Sequence, residues 1–125
     1  MDGLVLFAHG SRDARWAEPF EAVLGRVQAL VPGVAVTLAY LERMEPDLAE
    51  AVAELVRRGA RRIRVVPLFL GYGGHLREDL PRLAAAVSAE HPGIVVDLAP
   101  PAGEDARVLE ALADYCVREL RNARS

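Results

Sequence analysis

The sequence predicts an α/β fold, a four-stranded parallel sheet with helices on both faces, and two observations carry that expectation. Residues 4–8 (LVLFA), 34–41 (VAVTLAYL), 63–70 (IRVVPLFL) and 94–99 (IVVDLA) are apolar, β-branched-rich runs of strand length. Between and after them, apolar residues recur at helical spacing. Strand and helix thus alternate four times, and strands joined through helices run parallel with right-handed crossovers. Nearly continuous apolar strands are also what a sheet covered on both sides requires.

In chain order, the run at 4–8 is the first strand. Trp16, Phe20, Val23, Leu24, Val27 and Leu30 line one side of the first helix, with Pro19 in its opening turn, and Pro32-Gly33 separates it from the second strand. Leu48, Val52, Leu55 and Val56 mark the second helix, where Pro46 suits the first turn and Gly59 the end. Leu80, Leu83 and Val87 mark the third, with Pro81 read as another first-turn proline, and Pro92-Gly93 closes it. Val108, Leu109, Leu112, Tyr115 and Cys116 mark the fourth.

At 125 residues, 52% of them hydrophobic, the chain fits one domain over residues 1–125. No apolar run approaches the roughly 20 residues of a membrane-spanning helix. Met1-Asp2-Gly3 runs directly into the first strand without a basic, apolar leader, which predicts a cytoplasmic protein. Cys116 is the single cysteine, so neither an internal disulfide nor a cysteine zinc cluster can form within one chain, and packing is its expected role. A net charge of −3 excludes a general nucleic-acid binder, whose affinity rests on a basic face.

Ligands of open parallel sheets bind beyond the carboxyl ends of the strands. The first strand is followed by His9, Gly10, Ser11 and Arg12, the second by Glu42, Arg43 and Glu45, and the third by Gly71, Tyr72, Gly73, Gly74, His75 and Arg77. The fourth is followed by Pro100, Pro101 and Ala102. Two of the chain's three histidines therefore fall on one rim. Taken singly, each feature has a plainer reading: a histidine bonded to nearby backbone, first-turn carboxylates at Glu42 and Glu45, solvated arginines, a tight glycine loop. His91, before a Pro-Gly at a helix end, keeps the plain reading. The glycines match neither the GxGxxG dinucleotide pattern nor a phosphate loop. Together, two imidazoles, one or two carboxylates and glycine backbone suit a divalent transition metal bound with open positions.

At these residues the chain resembles the small sirohydrochlorin chelatases of the CbiX type: HGSR at 9–12, LERMEPDLAEAV at 41–52, VVPLFLGYGGHLREDLP at 65–81 and APPAGEDARVLEAL at 99–112. The resemblance implies a chelatase-like α/β domain with flavodoxin-like layering, working as a homodimer. It implies insertion of a divalent metal into sirohydrochlorin, for cobalamin or siroheme synthesis, without ATP or an organic cofactor. The metal is a substrate, Co²⁺ foremost, with Fe²⁺ or Ni²⁺ as alternatives. His9 takes the place of the family's proton acceptor and metal contact, and His75 that of the second metal contact. The acidic position falls on Glu42 or Glu45, with Glu42 assigned to catalysis and Glu45 to substrate. Leu70, Gly71, Tyr72, Gly73 and Gly74 lie against the macrocycle, and Ser11 and Arg12 face its carboxylates.

The chemistry fits these residue types. Insertion removes two pyrrole N–H protons, work suited to an imidazole, whose ordinary pKa is about 6.5. Incomplete ligation lets the ion leave for the ring. Two competing readings use the same rim: a metal or tetrapyrrole carrier without turnover, and a phosphoryl-transfer site with His9 as nucleophile and Arg12 beside it, disfavoured by the scarcity of further cations there.

Overall fold

The structure, a computed structural model, describes residues 1–124. Strands β1 (Asp2–Ala8), β2 (Ala35–Tyr40), β3 (Arg62–Pro67) and β4 (Val95–Leu98) form one parallel sheet in the order β2-β1-β3-β4. Helices α1 (Glu18–Leu30), α2 (Leu48–Arg57), α3 (Gly74–Ala89) and α4 (Ala106–Ala123) follow the strands in turn. The α/β class, the parallel sheet and the four-fold alternation are those the sequence predicts. No helix among the described residues is long and apolar enough to cross a membrane.

Side chains alternate between the faces of a strand, and this divides the core in two. On one face, Val5, Phe7, Ile63 and Val65 pack with Leu48, Ala51, Val52 and Leu55 of α2 and with Leu80 and Val87 of α3. On the other, Leu6, Ala8, Val36, Leu38 and Tyr40 pack with Trp16 and Ala17 of the turn before α1 and with Phe20, Leu24 and Val27 along α1. Helix α1 thus lies on one side and α2 and α3 on the other. The chain leaves β1 and its neighbour β3 toward opposite faces, which opens a crevice at their carboxyl ends.

Helix α2 starts on a capping box: Asp47 accepts from the Glu50 backbone N–H at 2.8 Å, and Glu50 accepts from the Asp47 N–H at 3.0 Å. Asp47→Ala is expected to lower stability by about 1 kcal/mol, read as a lower urea midpoint with an unchanged slope. Gly59, at φ +100°, follows the helix end as expected. Pro19 sits in the first turn of α1, also as expected.

Four expectations need correction. Pro46 precedes α2: it follows a cis bond from Glu45, and its carbonyl accepts from the Tyr40 N–H, so it closes the β2 loop. Pro81 lies inside α3, because that helix begins seven residues earlier, at Gly74, drawing residues of the glycine loop into its first turn. Without an N–H, Pro81 leaves the Arg77 carbonyl without its helical donor. Strand β3 stops at Pro67, although the Leu68 N–H still reaches the Phe7 carbonyl, so the segment 68–70 belongs to the rim. Finally, α4 does not cover the sheet. None of its residues is buried, and Cys116 is exposed rather than packed.

Coverage of the sheet by helices on both faces is therefore incomplete. On the α1 side, β3 and β4 present Arg62, Arg64, Val66, Val95 and Asp97, all exposed or half-exposed. Arg64 and Asp97 are register partners across the two strands and pair at 2.8 Å.

Candidate functional site

His9 is the first residue beyond β1, and the turn after it depends on glycine. Gly10 has φ +101°, and a Cβ there would stand 1.8 Å from the Glu42 carbonyl oxygen. This close approach lets the loop after β2 lie on the end of β1: the Leu41 N–H donates to the Ala8 carbonyl at 2.9 Å and the Glu42 N–H to the His9 carbonyl at 3.1 Å. The side chains follow, placing Glu42 Oε1 3.4 Å from His9 Nε2, with both groups about half exposed. A carboxylate so placed stabilises the imidazolium that forms when His9 takes a proton.

The His9 ring stands edge-on to Phe69, with centroids 5.8 Å apart. Phe69 is almost fully buried and joins the core through Phe7 at 6.1 Å. Its other neighbour is Tyr72, edge-on at 6.2 Å. The Arg77 guanidinium lies 5.0 Å over the Tyr72 ring, and its Nη1 is 3.8 Å from Glu104 Oε2. A continuous line of contacts thus crosses the crevice, from the loops after β1 and β2, through that after β3, to that after β4.

The structure therefore joins His9 with Glu42, and links them through Phe69 to Tyr72. It does not bring His75 to them. His75 is the second residue of α3, with its side chain 99% exposed and Nδ1 3.9 Å from Asp79 Oδ2, one turn along the same helix. Among the described residues, no three His, Cys, Asp or Glu side chains stand together as a metal cluster. Glu45 is exposed, beyond the left-handed Arg43 and before the cis bond to Pro46, whereas Glu42 faces His9.

Ser11 accepts from the Asp13 N–H at 3.1 Å. Asp13 in turn caps the short turn Ala14–Ala17 and receives the Arg15 side chain at 3.0 Å, which holds the Asp13 carboxyl below the usual range. Arg15 is engaged there, while Arg12 stands exposed on the rim. Leu70 is 64% exposed, a large apolar side chain at the mouth of the crevice. Gly71, Gly73 and Gly74 are exposed, with open space where a Cβ would sit. Tyr72 is half-buried.

Two contributors escape the sequence reading. Phe69 falls inside a run counted as strand, and Glu104 lies just past the apolar residues taken to end the fourth strand. The cue for the latter is Gly103, whose Cβ would stand 1.6 Å from the Leu70 carbonyl oxygen. Its N–H donates to the Phe69 carbonyl at 2.8 Å, which presses the β4 loop onto the β3 loop.

Residues 3–119 match the family model CbiX. The chain is 32% identical over 120 residues to the sirohydrochlorin cobaltochelatase of Sulfolobus acidocaldarius, covering 96% of this chain and 94% of that protein. It is 35% identical over 91 residues to the sirohydrochlorin cobaltochelatase of Methanocaldococcus jannaschii, a match to 73% of this chain that spans 64% of the relative's length. Among solved structures, the CbiX protein of Marinobacter aquaeolei VT8 superposes with a TM-score of 0.85 at 38% identity, over 98% of this chain and 99% of the other. The sirohydrochlorin chelatase SirB of Bacillus subtilis subspecies spizizenii, in complex with cobalt, gives 0.76 at 30% identity, over 91% of this chain and 49% of SirB. The likeness thus extends over the whole sheet and the rim that carries His9 and Glu42, and on that match the chain belongs to the CbiX family.

Proposed function

We propose that this chain is a sirohydrochlorin chelatase that inserts a divalent metal, Co²⁺ foremost, into sirohydrochlorin as one cytoplasmic domain, without ATP or an organic cofactor. The observation that carries the reading is the His9–Glu42 pair at the carboxyl ends of β1 and β2, beside an exposed apolar and glycine-rich edge. Its relatives' names supply the substrate: sirohydrochlorin cobaltochelatases, and SirB solved with cobalt and with Fe³⁺.

In this reading the macrocycle lies against Leu70, Gly71, Tyr72, Gly73 and Gly74, and its acidic periphery meets Ser11, Arg12 and the backbone N–H groups of the rim. Glu45 borders the same edge. His9 takes the two pyrrole protons in turn, each passing on to water, and the Glu42 carboxylate, 3.4 Å from Nε2, stabilises the imidazolium formed each time. His9 and His75 contact the incoming metal. His75 stands solvent-exposed on the first turn of α3, with no contact that buries its ring. Two imidazoles and no complete protein cage hold the ion weakly enough to release it to the ring nitrogens.

The test is direct: protein, sirohydrochlorin and Co²⁺ are mixed, and the macrocycle's absorbance is followed against a control with metal alone. Acceleration supports the enzyme, whereas binding without acceleration favours the carrier. Parallel runs with Fe²⁺ and Ni²⁺ rank the metals. His75→Ala is expected to lower turnover by on the order of tenfold, about 1.4 kcal/mol of barrier. His91→Ala, at the far end of α3, is expected to leave it unchanged in the same assay.

The chain acts as a homodimer. SirB, of which this chain covers 49%, carries about twice this length in one polypeptide, so a pair of copies supplies the same amount of framework.

A further inference from the structure

Arg77 and Glu104 face each other on the rim, and the chemistry proposed above uses neither. Their pairing is unlike the other arginine–carboxylate pairs described. Arg15 meets Asp13 at 3.0 Å, Arg57 meets Glu54 at 2.8 Å, Arg64 meets Asp97 at 2.8 Å and Arg118 meets Asp114 at 3.0 Å, each through a hydrogen bond. Arg77 Nη1 stops 3.8 Å short of Glu104 Oε2, beyond the length of such a bond.

The gap does not come from slack in the backbone, which is held on both sides. The Arg77 N–H donates to the Gly73 carbonyl at 3.2 Å in the first turn of α3. Glu104 belongs to the turn Ala102–Glu104, which the Gly103 N–H ties to the Phe69 carbonyl at 2.8 Å. The guanidinium rests instead on the Tyr72 ring, 5.0 Å from its centroid. Stacking on an aromatic face engages the π surface of a guanidinium and leaves its N–H donors pointing outward in their own plane. Glu104 attracts them without a bond, and between side chains 65% and 49% exposed such an attraction is weak. Arg77 is thus an oriented cation whose donors are unspent.

Its place on the rim matches that condition. Arg77 stands at the far end of the line of rings that begins with His9 and passes through Phe69 to Tyr72. It follows β3, whereas Arg12 follows β1, so the two cations flank the edge against which a flat ligand lies. Arg15, the next arginine along from Arg12, is spent on Asp13 through two side-chain bonds and offers no equivalent.

We infer that Arg77 is a further substrate-binding residue: it receives a peripheral carboxylate of the macrocycle in a bidentate pair, and Glu104 is the protein's own carboxylate that the substrate displaces. In the free protein Glu104 keeps the guanidinium over Tyr72. Its own short tether prevents it from closing on the donors. A ligand carboxylate arriving over the glycine stretch is not so tethered, and forms the two parallel charge-assisted bonds that Glu104 cannot. The site therefore recognises an acid-bearing disc by exchanging one carboxylate for another.

This inference rests on sirohydrochlorin being the ligand, and the experiment separates it from the chelatase reading. Binding of sirohydrochlorin without metal is measured by titration calorimetry, and Co²⁺ insertion by its KM and kcat. The proteins are the wild type, Arg77→Gln, Arg77→Lys, Glu104→Gln and the double variant Arg77→Gln/Glu104→Gln. Far-UV circular dichroism confirms that each is folded, as the exposure of both side chains leads one to expect. Arg77→Gln is expected to weaken binding at least tenfold and to raise KM alike, with kcat kept within about threefold, the pattern of lost uniform binding. Arg77→Lys recovers only part of the loss, because an ammonium neither forks nor lies flat on Tyr72. Glu104→Gln is expected to tighten binding by about two- to fivefold, since the competing carboxylate is gone. In the double variant that gain disappears, because the group for which the two carboxylates compete is absent. Weakened or unchanged binding in Glu104→Gln, or the same gain with and without Arg77, overturns the exchange and leaves a wild type that inserts metal as a chelatase. A wild type that binds sirohydrochlorin without accelerating insertion overturns the chelatase, while the four variants still decide the exchange. A wild type that does not bind sirohydrochlorin overturns both.

Discussion

Replacing His9 by alanine slows metal insertion by about 10²–10⁴-fold, the span ordinarily lost with a general base, while leaving the protein folded. The expectation follows from where the imidazole sits. It is half exposed, with Phe69 and the backbone bonds of Leu41 and Glu42 staying in place beneath it, so its loss opens no cavity in the core. What disappears is the group able to take a pyrrole proton at this point of the rim. Glu42→Gln keeps the shape and removes the charge, so a smaller loss is expected there. Initial rates of the sirohydrochlorin absorbance change for the wild type and the two variants test both points. A wild-type rate retained in His9→Ala removes His9 from the role.

The largest expected loss of stability comes from Phe7→Ala, at about 3–5 kcal/mol. Phe7 is fully buried on β1, the strand flanked by β2 and β3, and its ring supports Phe69. A loss of that size is a large part of the roughly 5–15 kcal/mol that holds an ordinary domain together. Urea unfolding followed by circular dichroism reads it as a lower midpoint. Leu30→Ala is the matched control: Leu30 is 80% exposed, and its truncation is expected to change stability by no more than about 0.5 kcal/mol. Equal shifts in the two variants contradict the placement of the core.

The sheet was legible because its signal is local: apolar runs of strand length, set off by Pro-Gly, Gly59 and helical spacing, leave one ordering of elements. The extent to which the helices cover it was not, because coverage is a tertiary property. A cue was nonetheless present. Arg62 and Arg64 alternate with Ile63 and Val65, and Asp97 interrupts the last strand, the pattern of strands with one wet face. The apolar content of the runs concealed it. Pro81 was misplaced for a different reason: three glycines within four residues argue for a loop, yet Gly74 and His75 enter the helix. In the candidate site, the position of His9 after a strand was readable, and its closeness to Glu42 followed once the strands paired. The choice between Glu42 and Glu45 was open in the sequence. It depends on Gly10 admitting the second loop against the first, an encounter between segments about thirty residues apart.

The meeting of Gly103 with Leu70 bears on the cost of capturing a flat ligand. Up to Leu70 the β3 loop is clamped, since its backbone touches another loop with no room for a single methyl group. Past that point nothing stands within 4 Å of where a Cβ at Gly71, Gly73 or Gly74 would sit, while Tyr72 between them leans on Phe69. The backbone left to settle on a ligand is the short stretch 71–73 before α3, and fixing three residues costs about 3–6 kcal/mol of backbone entropy. That cost falls on binding and is returned on release, favouring prompt departure of the metallated ring over a tight product complex.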